Sequence, residues 1–144
     1  MFKPLALGAV IAAALAGGAG AETFEVQMLN KGDAGKMIFA PDALRIAPGD
    51  TVKFVATDKG HNAELIKGMA PEGAAEFKGK INEEFEVTFD VEGAYGVMCK
   101  PHYAMGMNMT IVVGDGPVEA EAFLGGRIPK KAMERFEAQL ATLN

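Results

Sequence analysis

Between residues 24 and 113 the apolar side chains come in short bursts, each cut off by turn formers. That rhythm excludes most of the folds open to a chain of 144 residues. Phe24, Val26 and Met28 alternate with polar neighbours, the period of a strand with one buried face. Met37-Ile38-Phe39 runs into Pro41-Asp42, and Leu44-Arg45-Ile46 runs into Pro48-Gly49-Asp50. Thr51-Val52-Lys53-Phe54-Val55 stops at Thr57-Asp58-Lys59-Gly60. Phe85-Glu86-Val87-Thr88-Phe89 alternates and closes at Asp90-Val91-Glu92-Gly93, and residues 94–99 and 109–113 read as two further strands. About seven short strands at this spacing predict an all-β fold, a β-sandwich with Greek-key connections. The long connection over residues 62–80 is rich in Gly, Ala and charge, and a short helix over 71–77 is expected within it.

The pattern changes after Val113. Gly114-Asp115-Gly116 ends the last strand, residues 117–123 suit a short helix, and Gly125-Gly126 breaks it. Residues 129–143 predict a second helix, with Pro129 in its first turn and Met133, Phe136, Leu140 and Leu143 on one face. Lys130, Lys131, Glu134, Arg135 and Glu137 fall on the other face, expected to meet solvent. About thirty residues are too few for a second core, so residues 115–144 are expected to extend the sandwich of residues 22–114.

The N-terminal stretch MFKPLALGAVIAAALAGGAGA has one early cation, Lys3, an apolar run from Leu5 to Leu15, and small residues at its end. The run is shorter than the roughly 20 apolar residues that span a bilayer, which predicts a cleaved export signal over residues 1–21 and no membrane span afterwards. Without Lys3 the 14 basic residues fall by one against 19 acidic ones, a net charge of about −6. Phosphate binding needs a basic excess, so nucleic acid is excluded as a partner.

Export makes the cysteine count informative. Cys99 is the only cysteine, and in an oxidising compartment a lone thiol is buried and inert or is bound to something. Taken singly, a buried cysteine or one histidine means packing more often than chemistry. Here Cys99 stands three residues before His102, and the other histidine, His61, follows the end of a predicted strand. Strand ends meet at one pole of a sandwich, so the three can converge. Two imidazoles and a thiolate form a trigonal set suited to copper, with a weak thioether as the axial donor. By spacing, Met105 and Met107 are both available for that position, while Met109 falls in the next strand.

Gly60-His61-Asn62 and Tyr95-Gly96-Val97-Met98-Cys99-Lys100-Pro101-His102-Tyr103-Ala104-Met105-Gly106-Met107 resemble the ligand segments of the cupredoxins, the small blue copper electron carriers. The likeness runs over the whole exported length, and the helical tail is similar to that of the pseudoazurin branch. It implies one copper per chain, held by His61, Cys99, His102 and Met107. It further implies a backbone bond from Asn62 to the Cys99 sulfur and a place for Met37 near the His102 ring. The implied setting is the periplasm, and the implied partners are redox proteins: a copper nitrite reductase as acceptor and a cytochrome as donor, met by a monomer.

A fully ligated ion leaves no open position for a substrate, so no enzymatic activity is expected. Lys31, Lys36, Lys53, Lys59, Lys67, Lys78, Lys80 and Lys100 lie between residues 30 and 100, several in loops expected near the copper pole, where they can steer an acidic partner. Three other readings compete. Met98, Met105, Met107 and Met109 lend colour to a copper storage or delivery protein. A cysteine hydrolase, with Cys99 attacking and His102 or His61 as base, would need an oriented base and an oxyanion hole, and no nucleophile-bearing helix start is apparent. A structural zinc protein would stay colourless with its metal.

Overall fold

A computed structural model describes residues 20–144. The expected export signal lies outside the described residues, save Gly20 and Ala21. Eight strands form two four-stranded sheets: β1 (Thr23–Gly32), β2 (Gly35–Ala40), β3 (Ala43–Ile46), β4 (Asp50–Val55), β5 (Glu64–Leu65), β6 (Phe85–Phe89), β7 (Gly93–Met98) and β8 (Asn108–Val113). One sheet has the order β2-β1-β4-β6 and the other β3-β8-β7-β5. The pairs β1/β4 and β3/β8 are parallel, and the remaining pairs are antiparallel. This is the expected β-sandwich.

Alternation drives the assembly. Val26 and Met28 on β1 and Val52 and Phe54 on β4 point inward and are fully buried, with their polar neighbours facing out, and Tyr95 and Val97 on β7 are buried between small or apolar neighbours. β8 departs from the rule: all six of its residues are buried, because its second face is covered by helix α2 (Lys130–Leu143). Val112 packs with Val118 and Leu140 there, while Phe136 joins Ile66 and Met69. The helices therefore add a third layer over one sheet.

Several local expectations need correction. No helix forms over residues 71–77. Gly73 takes a positive φ of 83°, and the segment is drawn out beside β5 by a Glu64–Lys78 bridge and a bond from the Leu65 N–H to the Phe77 carbonyl at 3.0 Å. The first C-terminal helix, α1, covers only Ala120–Phe123, and ahead of it the Val118 N–H is held by Asn144 Oδ1 at 3.0 Å. Pro129 caps α2 with extended backbone and does not enter its first turn. Met133 is only half-buried. The face that packs is built on Ala132, Phe136, Gln139 and Leu140.

Candidate metal centre

Cys99 follows the last residue of β7, and Met107 precedes the first residue of β8. Those strands pair Met98 with Asn108, so the whole segment between them is a loop closed at its base by the sheet. The Cys99 N–H adds a bond to the Met107 carbonyl at 3.0 Å. Within the loop, Lys100–Met105 form a 3-10 helix that Pro101 can start, and Gly106 ends it with a φ of 89°, a conformation that favours glycine. His61 arrives from the other sheet, in the connection after β4.

These loops bring three donor atoms together. His61 Nδ1 and His102 Nδ1 are 3.1 Å apart, and the Cys99 sulfur lies 3.8 Å from the first and 3.4 Å from the second. A triangle with those edges has its centre about 2.0 Å from each corner, close to the 2.0–2.3 Å that nitrogen and sulfur donors keep from a first-row metal ion. Among the described residues this is the one group of three histidine, cysteine or carboxylate side chains with such convergence. His61 and Cys99 have no exposed surface, and His102 is half-buried.

The surroundings hold the donors for an ion. His61 Nε2 donates to Asn30 Oδ1 at 2.7 Å, which places the ring proton on Nε2 and leaves the Nδ1 lone pair aimed at the triangle. Burial pushes the His61 pKa down, with the nearby His102 adding to the shift and Asp58 opposing it, so the ring favours its neutral, ligating form. Burial likewise raises the Cys99 thiol, while backbone N–H groups of Asn62 and His102 favour the thiolate. Asn62 thus stands close enough to the sulfur to favour its charged form. Its side chain also ties the two ligand loops together: Oδ1 accepts from the Lys100 N–H at 2.8 Å, and Nδ2 donates to Glu64 and to the Gly79 carbonyl, each at 3.1 Å.

The two methionines sit very differently. Met107 is fully buried in the main core cluster beside Cys99, and Met105 is 45% exposed on the outer turn. Met37 packs half-buried against that same cluster with a φ of 53°, rare for a residue other than glycine. Around the half-exposed His102, Pro101, Ala104 and Met105 are exposed, whereas Tyr103 turns inward toward Ile66 and Phe136 and its hydroxyl is pushed up to about 12 by burial.

Sequence reasoning missed Asn30 and misplaced Arg135. Arg135 is not an outer-face charge: its guanidinium donates to the carbonyls of Met37 and Gly106, both at 2.6 Å, and of Lys36 at 2.7 Å. Lys53 also leaves the set of free cations, because Glu84 pairs with it at 3.7 Å.

A two-sheet sandwich with a Cys-His-His triangle at one pole, a buried methionine beside it and no carboxylate in the set defines a small copper protein of the cupredoxin class. Residues 26–114 match the family described as "Copper binding proteins, plastocyanin/azurin family". Over 140 residues the chain is 49% identical to pseudoazurin of Paracoccus pantotrophus, with 97% of both chains covered. The solved pseudoazurin structure from Sinorhizobium meliloti superposes with a TM-score of 0.81 at 49% identity, over 85% of this chain and 97% of that one. The structure from Methylobacterium extorquens AM1 gives 0.80 at 45% identity, over 85% and 99%. The chain belongs to the plastocyanin/azurin family of copper-binding proteins, in its pseudoazurin branch. It is a blue copper electron carrier.

Proposed function

We propose that His61, Cys99, His102 and Met107 are the copper ligands of a periplasmic carrier. It passes electrons to denitrification enzymes, chiefly a copper-containing nitrite reductase, takes them from a cytochrome, and works as a monomer after loss of residues 1–21. The observation that carries the reading is the donor triangle, whose centre is one metal–ligand bond length from all three atoms. Met107 is favoured over Met105 as the fourth donor because it is buried at the throat of the loop, its carbonyl bonded to the Cys99 N–H.

Copper bound there supplies a one-electron Cu(II)/Cu(I) couple. The chain contributes rigidity and access. Asn30 and Asn62 fix the ring of His61 and the loop of Cys99, so the donors keep their places in both oxidation states. His102 is the exposed edge of the set, and the small groups of Pro101, Ala104 and Met105 let a partner approach it closely. With four protein donors there is no coordination position for a substrate, which favours a carrier over an enzyme.

Exposed Lys36 lines a groove with Ala104 and Met105, and Lys78, Lys80 and Lys100 line another with Ile81 and Pro101. A basic rim around an apolar centre fits an acidic redox partner. The copper storage reading is disfavoured by burial of both Cys99 and Met107, which leaves little for an acceptor to grip. Repeated reduction and reoxidation should leave the metal content unchanged while nitrite reductase is reduced at catalytic ratios. Loss of copper to a chelator within a few cycles would support storage and delivery instead.

A further inference from the structure

Helix α2 lies beyond residues 26–114, which carry the family match, yet it reaches the ligand loop on both sides of Met107. On the N-terminal side, Arg135 Nη1 donates to the Gly106 carbonyl at 2.6 Å. On the C-terminal side, Asn108 Nδ2 donates to the Ala132 carbonyl at 2.9 Å, and Gln139 Nε2 donates to the Asn108 carbonyl at 3.0 Å. The fit at Gly106 is close: a Cβ there would come within 3.0 Å of Arg135 Cδ and 3.1 Å of its Nε. The same guanidinium accounts for the carbonyls of Lys36 and Met37, so the β1–β2 turn region and the ligand loop share one clamp.

We infer that Arg135 is a positioning residue for the copper centre: by holding the Gly106 peptide, it sets where Met107 presents its thioether. This rests on the reading of Met107 as the axial ligand. The physical reason is the guanidinium itself, a planar fork whose N–H donors point in fixed directions from two separate nitrogens toward three carbonyls; the three donors of an ammonium share one nitrogen on a flexible stem and are not pre-aimed in this way. An axial thioether is a weak, long contact, so small displacements of the loop alter the electronic character of the site without dismantling it.

Arg45 supplies a matched control. It makes a comparable clamp at the far end of the same helix, to the carbonyls of Gly114 and Gly116 at 2.8 and 3.0 Å and of Leu143 at 2.7 Å. The experiment compares wild type, Arg135→Met, Arg135→Lys and Arg45→Met by three readouts. They are thermal stability, the visible spectrum and reduction potential of the copper-loaded protein, and amide exchange of Gly106 and Met107 in the metal-free protein. Both methionine variants should lose stability. Only Arg135→Met should change the balance of the charge-transfer bands and move the potential, with exchange at Met107 faster by about tenfold, and Arg135→Lys should fall between it and wild type. If Arg135→Met keeps the wild-type spectrum and potential, or if Arg45→Met moves them equally, the inference is overturned. Should Arg135→Met not fold, Arg135→Lys decides by the same criteria. A colourless wild type would strike the copper reading instead, and the exchange data would still judge the clamp.

Discussion

At His61, the nitrogen that faces Asn30 decides which nitrogen remains for an ion. Asn30 Oδ1 accepts from Nε2, so the ring is held by one atom and presents the other. Asn30→Ala should lower copper affinity about 10- to 100-fold, measured by competition with a chelator of known strength. An unchanged affinity would show that the loop alone orients the ring. The two methionines separate by substitution: Met107→Gln should alter both colour and potential, and the exposed Met105→Gln should leave them near wild type. The reverse result would reassign the ligand. The donors themselves were legible in the sequence because they are scarce, one cysteine and two histidines in 144 residues. Asn30 was not legible: it sits on β1, 31 residues from His61, where an exposed asparagine looks like any polar strand residue.

Among the elements, the strands could be read from period-two alternation, since each needs only its own residues to show a buried face. β5 could not, because two residues carry no period and its place is set by pairing with β7. The helical wheel of α2 located Phe136 and Leu140 correctly, but it treats every polar residue as solvent-facing. Gln139 breaks that assumption. It is 2% exposed and accepts from Thr110 Oγ1 at 2.9 Å while donating to the Asn108 carbonyl. Gln139→Leu would strand both partners away from water, which should cost about 2 kcal/mol of unfolding free energy. Urea denaturation tests this, and an unchanged midpoint would mean that solvent reaches those groups.

Over the whole molecule, exposed lysines gather about the copper pole, although Asp58 and Glu64 also stand there. Lys36, Lys59, Lys78, Lys80 and Lys100 are exposed in or beside the loops of the donor triangle. Glu22, Asp50, Glu92 and Asp115 line a groove at the opposite end with Arg45. A protein with a net charge of −5 can therefore present a basic face to an acidic partner. Electron transfer to a nitrite reductase should slow as salt rises, and Lys59→Glu or Lys78→Glu should slow it at low salt while leaving the spectrum alone. Rates independent of ionic strength would remove steering from the account. The visible spectrum of the copper-loaded protein, recorded beside that of Cys99→Ser, bears most directly on the donor triangle. An intense blue thiolate-to-copper band that disappears in the variant is expected; a colourless oxidised wild type with copper bound would contradict the assignment.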